Sequence, residues 1–179
     1  DTCKSWFDKR EYCAVGETGI DLYWDKSTFN IQRDAFRQQI QWAKELGKPV
    51  VIHARESFQE IFKIIDEEND ESLTGVFHCF TGGIDEAQKI MGYGRFKMGV
   101  GGVLTYKKSG MDKVIAQVPL SELVLETDSP YLAPTPKRGK RNEPSYLLYI
   151  AEKLGEIKGE RLETIGEVTT GNATDLFGL

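Results

Sequence analysis

Five short apolar runs set the strongest constraint on how this chain can fold. They are Tyr12 to Gly16 (YCAVG), Pro49 to Ile52 (PVVI), Leu73 to Phe77 (LTGVF), Phe96 to Leu104 (FKMGVGGVL) and Leu123 to Leu125 (LVL). They are rich in β-branched residues and do not alternate with polar ones, as in parallel strands covered on both faces. Amphipathic stretches separate them. Phe36, Ile40 and Ala43 recur at helical spacing, Gly47 follows as a C-cap, and Pro49 bars continuation. Phe58, Ile61, Phe62 and Ile65 repeat the pattern one strand later. Shorter helices are expected over 85–91 and 111–118. Two more are marked by Leu147, Ala151 and Leu154 (entered through Asn142 and Pro144) and by Leu162, Ile165 and Val168. Strand–helix alternation of this kind builds βα units and a parallel sheet. No boundary or repeat interrupts it, so residues 1–179 are expected to form a single domain.

Closure is the geometric problem. A parallel α/β barrel closes with eight strands over about 250 residues, and this chain offers five strands in 179 residues. An open sheet or an incomplete barrel remains. The glycines at 92, 94, 99, 101 and 102 do not fit a dinucleotide-binding Gly-x-Gly-x-x-Gly turn, and no Gly-x4-Gly-Lys-Ser/Thr loop occurs.

The residues that follow the strands carry chemistry. Glu17 follows AVG, His53 follows VVI, His78 follows GVF, and Asp128 lies just beyond LVLET. These are the only two histidines in the chain. Parallel α/β folds gather the C-terminal ends of their strands on one face, where sites are built. Two imidazoles and two carboxylates arriving there suit a divalent ion with N/O ligands. A lone histidine at a strand end is more often structural, and Asp128 alone suits a turn before Ser129-Pro130. The coincidence of four such residues favours metal. Cys79 beside His78 suggests a Cys/His nucleophile, but neighbours along a strand point to opposite faces.

A second signal is the Pro/Gly-rich loop from Pro134 to Glu143, where Lys137, Arg138, Lys140 and Arg141 fall within five positions. Net charge is −5, from 23 Lys and Arg against 28 Asp and Glu, so a broad basic nucleic-acid surface is excluded. A local phosphate patch in this loop is the expectation. Tyr131 beside it either stacks on a base or packs under the loop. No apolar run approaches the ~18 residues of a membrane span. Three cysteines, an odd number without Cys-x-x-Cys, point to a reducing cytoplasm. Asp1 to Trp6 lacks the character of a signal peptide and reads as a chain entered partway through a helix.

GETGIDLYWDKS, PVVIHARES, GVFHCFTGG, ETDSPYLAP and RGKRNEPSYL, in that order, resemble the motifs of the TatD family of metal-dependent deoxyribonucleases, from about residue 10 onward. The resemblance implies a (β/α)8 TIM-type barrel of the metal-dependent hydrolase (amidohydrolase) superfamily, of which this chain matches the last five strands. It also implies hydrolysis of DNA phosphodiesters, as an exonuclease, with two divalent ions (Mg, Mn or Zn) and an activated water. On that pattern Glu17 bridges the ions, His53 and His78 hold one with Glu17, and Asp128 holds the other and orients the water. Glu17 and Asp128 are then the catalytic pair. Lys137, Arg138, Lys140 and Arg141 bind the substrate phosphate. RNA is an alternative substrate.

The sequence departs from the family in one large respect. The family's first strand carries His-x-His, and no histidine precedes position 53 here. The N-terminal segment of its own barrel is therefore expected to be absent from this chain. Weak ion occupancy and little turnover by this polypeptide alone are expected in consequence. Two other readings stay open: a hydrolase of another ester or amide, such as aminoacyl-tRNA, and a catalytically inactive fragment.

Overall fold

The computed structural model describes residues 3–179; Asp1 and Thr2, and with them the start of the expected N-terminal helix, lie outside the described residues. Two compact units are present, one reaching to Val76 and including Leu176–Leu179, the other Phe77–Asp175. All paired strands are parallel, and within each unit strand order follows chain order.

In the first unit β1 (Val15–Asp21) pairs with β2 (Val50–Arg55), with Val15 opposite Val50 and Asp21 opposite Arg55. Gly19 lies opposite His53, and a Cβ on Gly19 would sit 2.1 Å from the His53 carbonyl oxygen. Its φ of +151° is also one that L side chains rarely adopt, so only glycine lets the strands approach here. Helix α1 (Phe29–Leu46) buries Phe36, Ile40, Trp42 and Ala43. It stops where the sequence indicates, with left-handed Gly47 donating its N–H to Ala43 and Lys44. Helix α2 (Phe58–Glu68) buries Ile61, Phe62, Ile64 and Ile65. Each such buried side chain contributes about 1.5–3 kcal/mol. Arg37 of α1 bridges to Glu67 and Glu68 of α2 at 2.5 and 2.8 Å. Buried Ser57 donates its hydroxyl to the Ile20 carbonyl and accepts the Arg55 N–H, which fastens the β2–α2 turn to β1.

The division between units falls within β3 (Gly75–Phe77). The second unit holds β4 (Phe96–Val100) and β5 (Leu123–Leu125), with Met98 opposite Leu123 and Val100 opposite Leu125. The Phe80 N–H reaches the Gly99 carbonyl at 2.9 Å. Around these strands lie α3 (Ile84–Gly92), α4 (Met111–Ile115), α5 (Leu147–Lys158) and α6 (Leu162–Phe177). Phe77, Phe96, Met98, Ile115, Ile150, Leu154 and Ile165 form its core. The Asn172 amide of α6 donates to the carbonyls of Leu120 and Leu123 at 2.9 and 2.7 Å, which ties that helix to the start of β5.

Several elements differ from the sequence expectation: the second strand runs on to Arg55 rather than stopping at Ile52, and the third begins at Gly75 rather than Leu73. The first strand begins at Val15 rather than Tyr12 and runs on to Asp21, because Val15, Thr18 and Ile20 are its buried residues. Glu17 and His53 therefore lie inside strands, not after them. The fourth strand ends at Val100, and Gly102–Thr105 forms a 3-10 turn in which the Thr105 hydroxyl donates to the Gly102 carbonyl. The helix from Met111 ends at Ile115; Val118 precedes Pro119, a position biased away from helix.

Candidate metal centre

Residues two apart on a strand share a face, so Glu17, Gly19 and Asp21 of β1 point one way, as do His53 and Arg55 of β2. Gly19 carries no side chain, and His53 occupies the space opposite it. Its Nδ1 lies 3.0 Å from Glu17 Oε1 and its Nε2 lies 3.1 Å from Asp21 Oδ2. Asp21 Oδ1 accepts the Tyr23 N–H at 2.9 Å. Burial works to raise the Asp21 carboxyl, but the Tyr23 amide, His53 and Arg55 together hold it below its ordinary value. The first unit thus brings Glu17 and His53 together and adds Asp21.

The second unit has its own constellation. His78 directly follows β3, and its Nδ1 lies 3.0 Å from Glu126 Oε2 and its Nε2 3.4 Å from Asp128 Oδ1. The other oxygen of Glu126 accepts the Cys79 N–H at 2.6 Å. His78 and Glu126 are mostly enclosed, with side chains 17% and 18% exposed. A Cβ on Gly99 would meet Glu126 Oε2 at 2.3 Å, so the absent side chain makes room for this carboxylate. Cys79 and Asp128 both hold left-handed backbone, at φ 44° and 54°. Such conformations cluster at functional sites.

Asp21 and Glu126 are the residues that sequence reasoning missed. Both sit in quoted motifs, and the same-face spacing of Glu17 and Asp21 was a usable signal. Each faces an imidazole nitrogen while another carboxylate, Glu17 or Asp128, faces the other nitrogen. In metal sites a carboxylate of this kind fixes the tautomer and raises the basicity of a ligating histidine.

Among the described residues no three His, Cys, Asp or Glu side chains form a ready-made ion cage. The donor chemistry nevertheless fits. Imidazole nitrogen suits Zn, carboxylate oxygen suits Mg, Mn and Zn, and each imidazole already has an acidic partner able to share an ion with it.

The cationic loop ends at a residue tied to the segment that flanks Asp128. Buried Asn142 donates through Nδ2 to the carbonyls of Thr127 and Tyr131, both at 2.6 Å, and its N–H reaches the Pro130 carbonyl at 3.0 Å. Lys137 lies over the Tyr146 ring at 5.4 Å and Arg138 over Tyr106 at 4.3 Å, while Lys140 and Arg141 are exposed. Tyr131 is 71% exposed, which decides against its packing beneath the loop. No helix among the described residues is long and apolar enough to cross a membrane.

A family profile described as TatD related DNase matches residues 1–178, ahead of the residue-10 start that the motifs alone indicate. The Uncharacterized metal-dependent hydrolase YabD of Bacillus subtilis (strain 168) is 44% identical over 165 residues, 92% of this chain and 64% of that protein. A protein of Enterobacter lignolyticus (strain SCF1) named 3'-5' ssDNA/RNA exonuclease TatD is 34% identical, over 94% of this chain and 67% of its own length. The chain thus spans 64% of the length of YabD and 62% of the similar YcfH of Escherichia coli (strain K12). Among solved structures, YJJV, a TatD homolog from Escherichia coli K12, superposes with a TM-score of 0.92 at 30% identity, covering 99% of this chain and 69% of that one. The expected kinship with TIM-type barrel hydrolases of this group is therefore upheld.

Proposed function

The chain belongs to the TatD-related DNase family, and from that premise we propose that it is a metal-dependent phosphodiesterase acting on DNA, with Glu17, His53, His78 and Asp128 as ligands of two divalent ions. The observation that carries the reading is the pairing of each imidazole with carboxylates on both ring nitrogens, Glu17 and Asp21 about His53 and Glu126 and Asp128 about His78. In this reading residues 1–179 work as a single domain, in the cytoplasm.

Divalent ions bound there supply Lewis-acid charge that acidifies water and polarises a phosphoryl oxygen. The chain's own residues do the rest. Asp21 and Glu126 hold the two imidazoles in one tautomer and one orientation. Asp128 would accept a hydrogen bond from the attacking water and aim it, and Glu17 would offer carboxylate oxygen to a bound ion. Lys137, Arg138, Lys140 and Arg141 receive the substrate phosphates, with Arg138 steadied on Tyr106 and Lys137 on Tyr146. An exonuclease acting on single strands accords with the name of the Enterobacter relative.

The test is cleavage of a labelled single-stranded DNA with Mg²⁺, Mn²⁺ or Zn²⁺, set beside an EDTA blank, an RNA strand, a small ester and an aminoacyl-tRNA. Slow but metal-dependent release of nucleotides, lost in Glu17→Gln and in His78→Ala, is the expected result. Metal-dependent hydrolysis of the ester or aminoacyl-tRNA with none of the DNA would overturn it, as would DNA cleavage that persists in both variants.

A further inference from the structure

The turn after β1 presents an aromatic surface that metal chemistry does not require. Trp24 is 78% exposed and Tyr23 47% exposed. Their rings meet edge to face, with centroids 4.7 Å apart and planes at 89°. The Arg55 guanidinium, at the end of β2, lies 3.8 Å from the centroid of Tyr23 and 5.5 Å from that of Trp24. An exposed tryptophan alone needs no explanation. Three features separate this one from a stray surface residue.

First, the turn is fixed before any ligand arrives. Tyr23 N–H is held by Asp21, Leu22 N–H by the Arg55 carbonyl, and Ser27 N–H by Asp25. Ring faces presented on a rigid turn lose little entropy on binding. Second, the turn is joined to the candidate centre through one side chain. Asp21 accepts the Tyr23 N–H on one oxygen and faces His53 Nε2 with the other. A ligand on Trp24 is therefore a neighbour of the Glu17–His53 pair. Third, the local charge selects the kind of ligand. Glu17, Asp21 and Asp25 are anionic, and they disfavour a bare phosphate chain at this turn. Lys26 is an exposed cation on the same turn, and Arg55 is the one that lies over both rings. A planar, uncharged ring on the backbone of a polyanion suits that balance: the ring stacks on Trp24, and Arg55 meets the adjacent phosphate.

We propose that Trp24, with Tyr23 and Arg55, is a nucleobase-stacking subsite that holds a base of single-stranded DNA beside the His53 centre. This rests on the phosphodiesterase reading for its substrate class and goes beyond it in naming what grips the base. Stacking tolerates every base, so the subsite confers a preference for base-bearing strands rather than for a sequence.

The experiment compares a short oligothymidylate with an abasic deoxyribose-phosphate strand of equal length, using the full chain in EDTA so that nothing is cleaved. Tryptophan emission and fluorescence anisotropy of a labelled strand report binding. The thymidylate is expected to bind about 5- to 150-fold more tightly than the abasic strand and to quench tryptophan emission. Trp24→Ala is expected to bring the ratio of the two affinities close to one, and Trp24→Phe to retain most of the preference. The thermal midpoint of each variant separates lost stacking from lost folding. Equal affinities in the unmodified chain, or a ratio that survives Trp24→Ala, would overturn the proposal. A Trp24-dependent preference without metal-dependent cleavage would sink the phosphodiesterase reading and leave the subsite standing. Cleavage without base preference would do the reverse.

Discussion

Replacing Gly99 by alanine probes the second constellation without touching any of its polar groups. The new methyl carbon would lie 2.3 Å from Glu126 Oε2, 2.8 Å from its carboxyl carbon and 3.3 Å from the Cys79 nitrogen. The carboxylate must shift by about 1 Å to restore an ordinary contact. Both of its hydrogen bonds, to the Cys79 N–H at 2.6 Å and to His78 Nδ1 at 3.0 Å, depend on its present position. A hydrogen bond to a charged group is worth about 1.5–3 kcal/mol, and part of two such bonds is lost, so Gly99→Ala should destabilise the fold by about 2–4 kcal/mol. Urea unfolding at unchanged slope measures this. Gly171→Ala in α6 is the control, because a Cβ there meets nothing within 4 Å; alanine in a helix interior should stabilise by about 0.5–1 kcal/mol. Only two histidines exist, so imidazole NMR adds a local readout. His78 resonances should move in Gly99→Ala and those of His53 should not. Unchanged stability together with unmoved His78 signals would refute the argument that Gly99 exists to seat Glu126.

Two further outcomes are expected. Asn142→Ala leaves the carbonyls of Thr127 and Tyr131 without the amide that both accept, inside a buried position, and should cost about 2–4 kcal/mol in urea unfolding while making the cationic loop more susceptible to protease. The Asp70 carboxyl is held well below its usual 3.8 by Lys44, then by the Ser72 hydroxyl and amide. A depressed carboxyl stabilises the fold above its unfolded value and loses that contribution as pH falls through its folded one. The stability gap between the unmodified chain and Asp70→Asn should therefore be full above about pH 4 and shrink below it; a gap that widens in acid contradicts the assignment.

Much of the fold can be read from apolar runs and helix stops. Gly47 ends α1 as expected, and the last strand falls on Leu123–Leu125. The first strand was misplaced because its chemistry-bearing half, GETGID, is neither apolar nor regularly alternating. Its cohesion comes from backbone pairing to β2 and from Gly19, whose missing side chain lets His53 approach. The four candidate ligands Glu17, His53, His78 and Asp128 are visible as residue types at or beside strand ends. Of their partners, Asp21 is hinted at only by its same-face spacing from Glu17, and Glu126 is not legible, because the role of each is defined by which imidazole nitrogen it faces. The Trp24 surface was also hidden, since exposure of an aromatic cannot be read from a motif in which neighbouring Leu22 is buried.

The most direct measurement is a Mn²⁺ titration of the chain followed by electron paramagnetic resonance, repeated with His53→Ala, His78→Ala, Asp21→Asn and Glu126→Gln. The expected result is saturable binding that each histidine variant abolishes and that each partner variant weakens by about 10- to 100-fold. Absence of saturable binding, or binding indifferent to both histidines, would contradict the assignment of these residues to a metal centre.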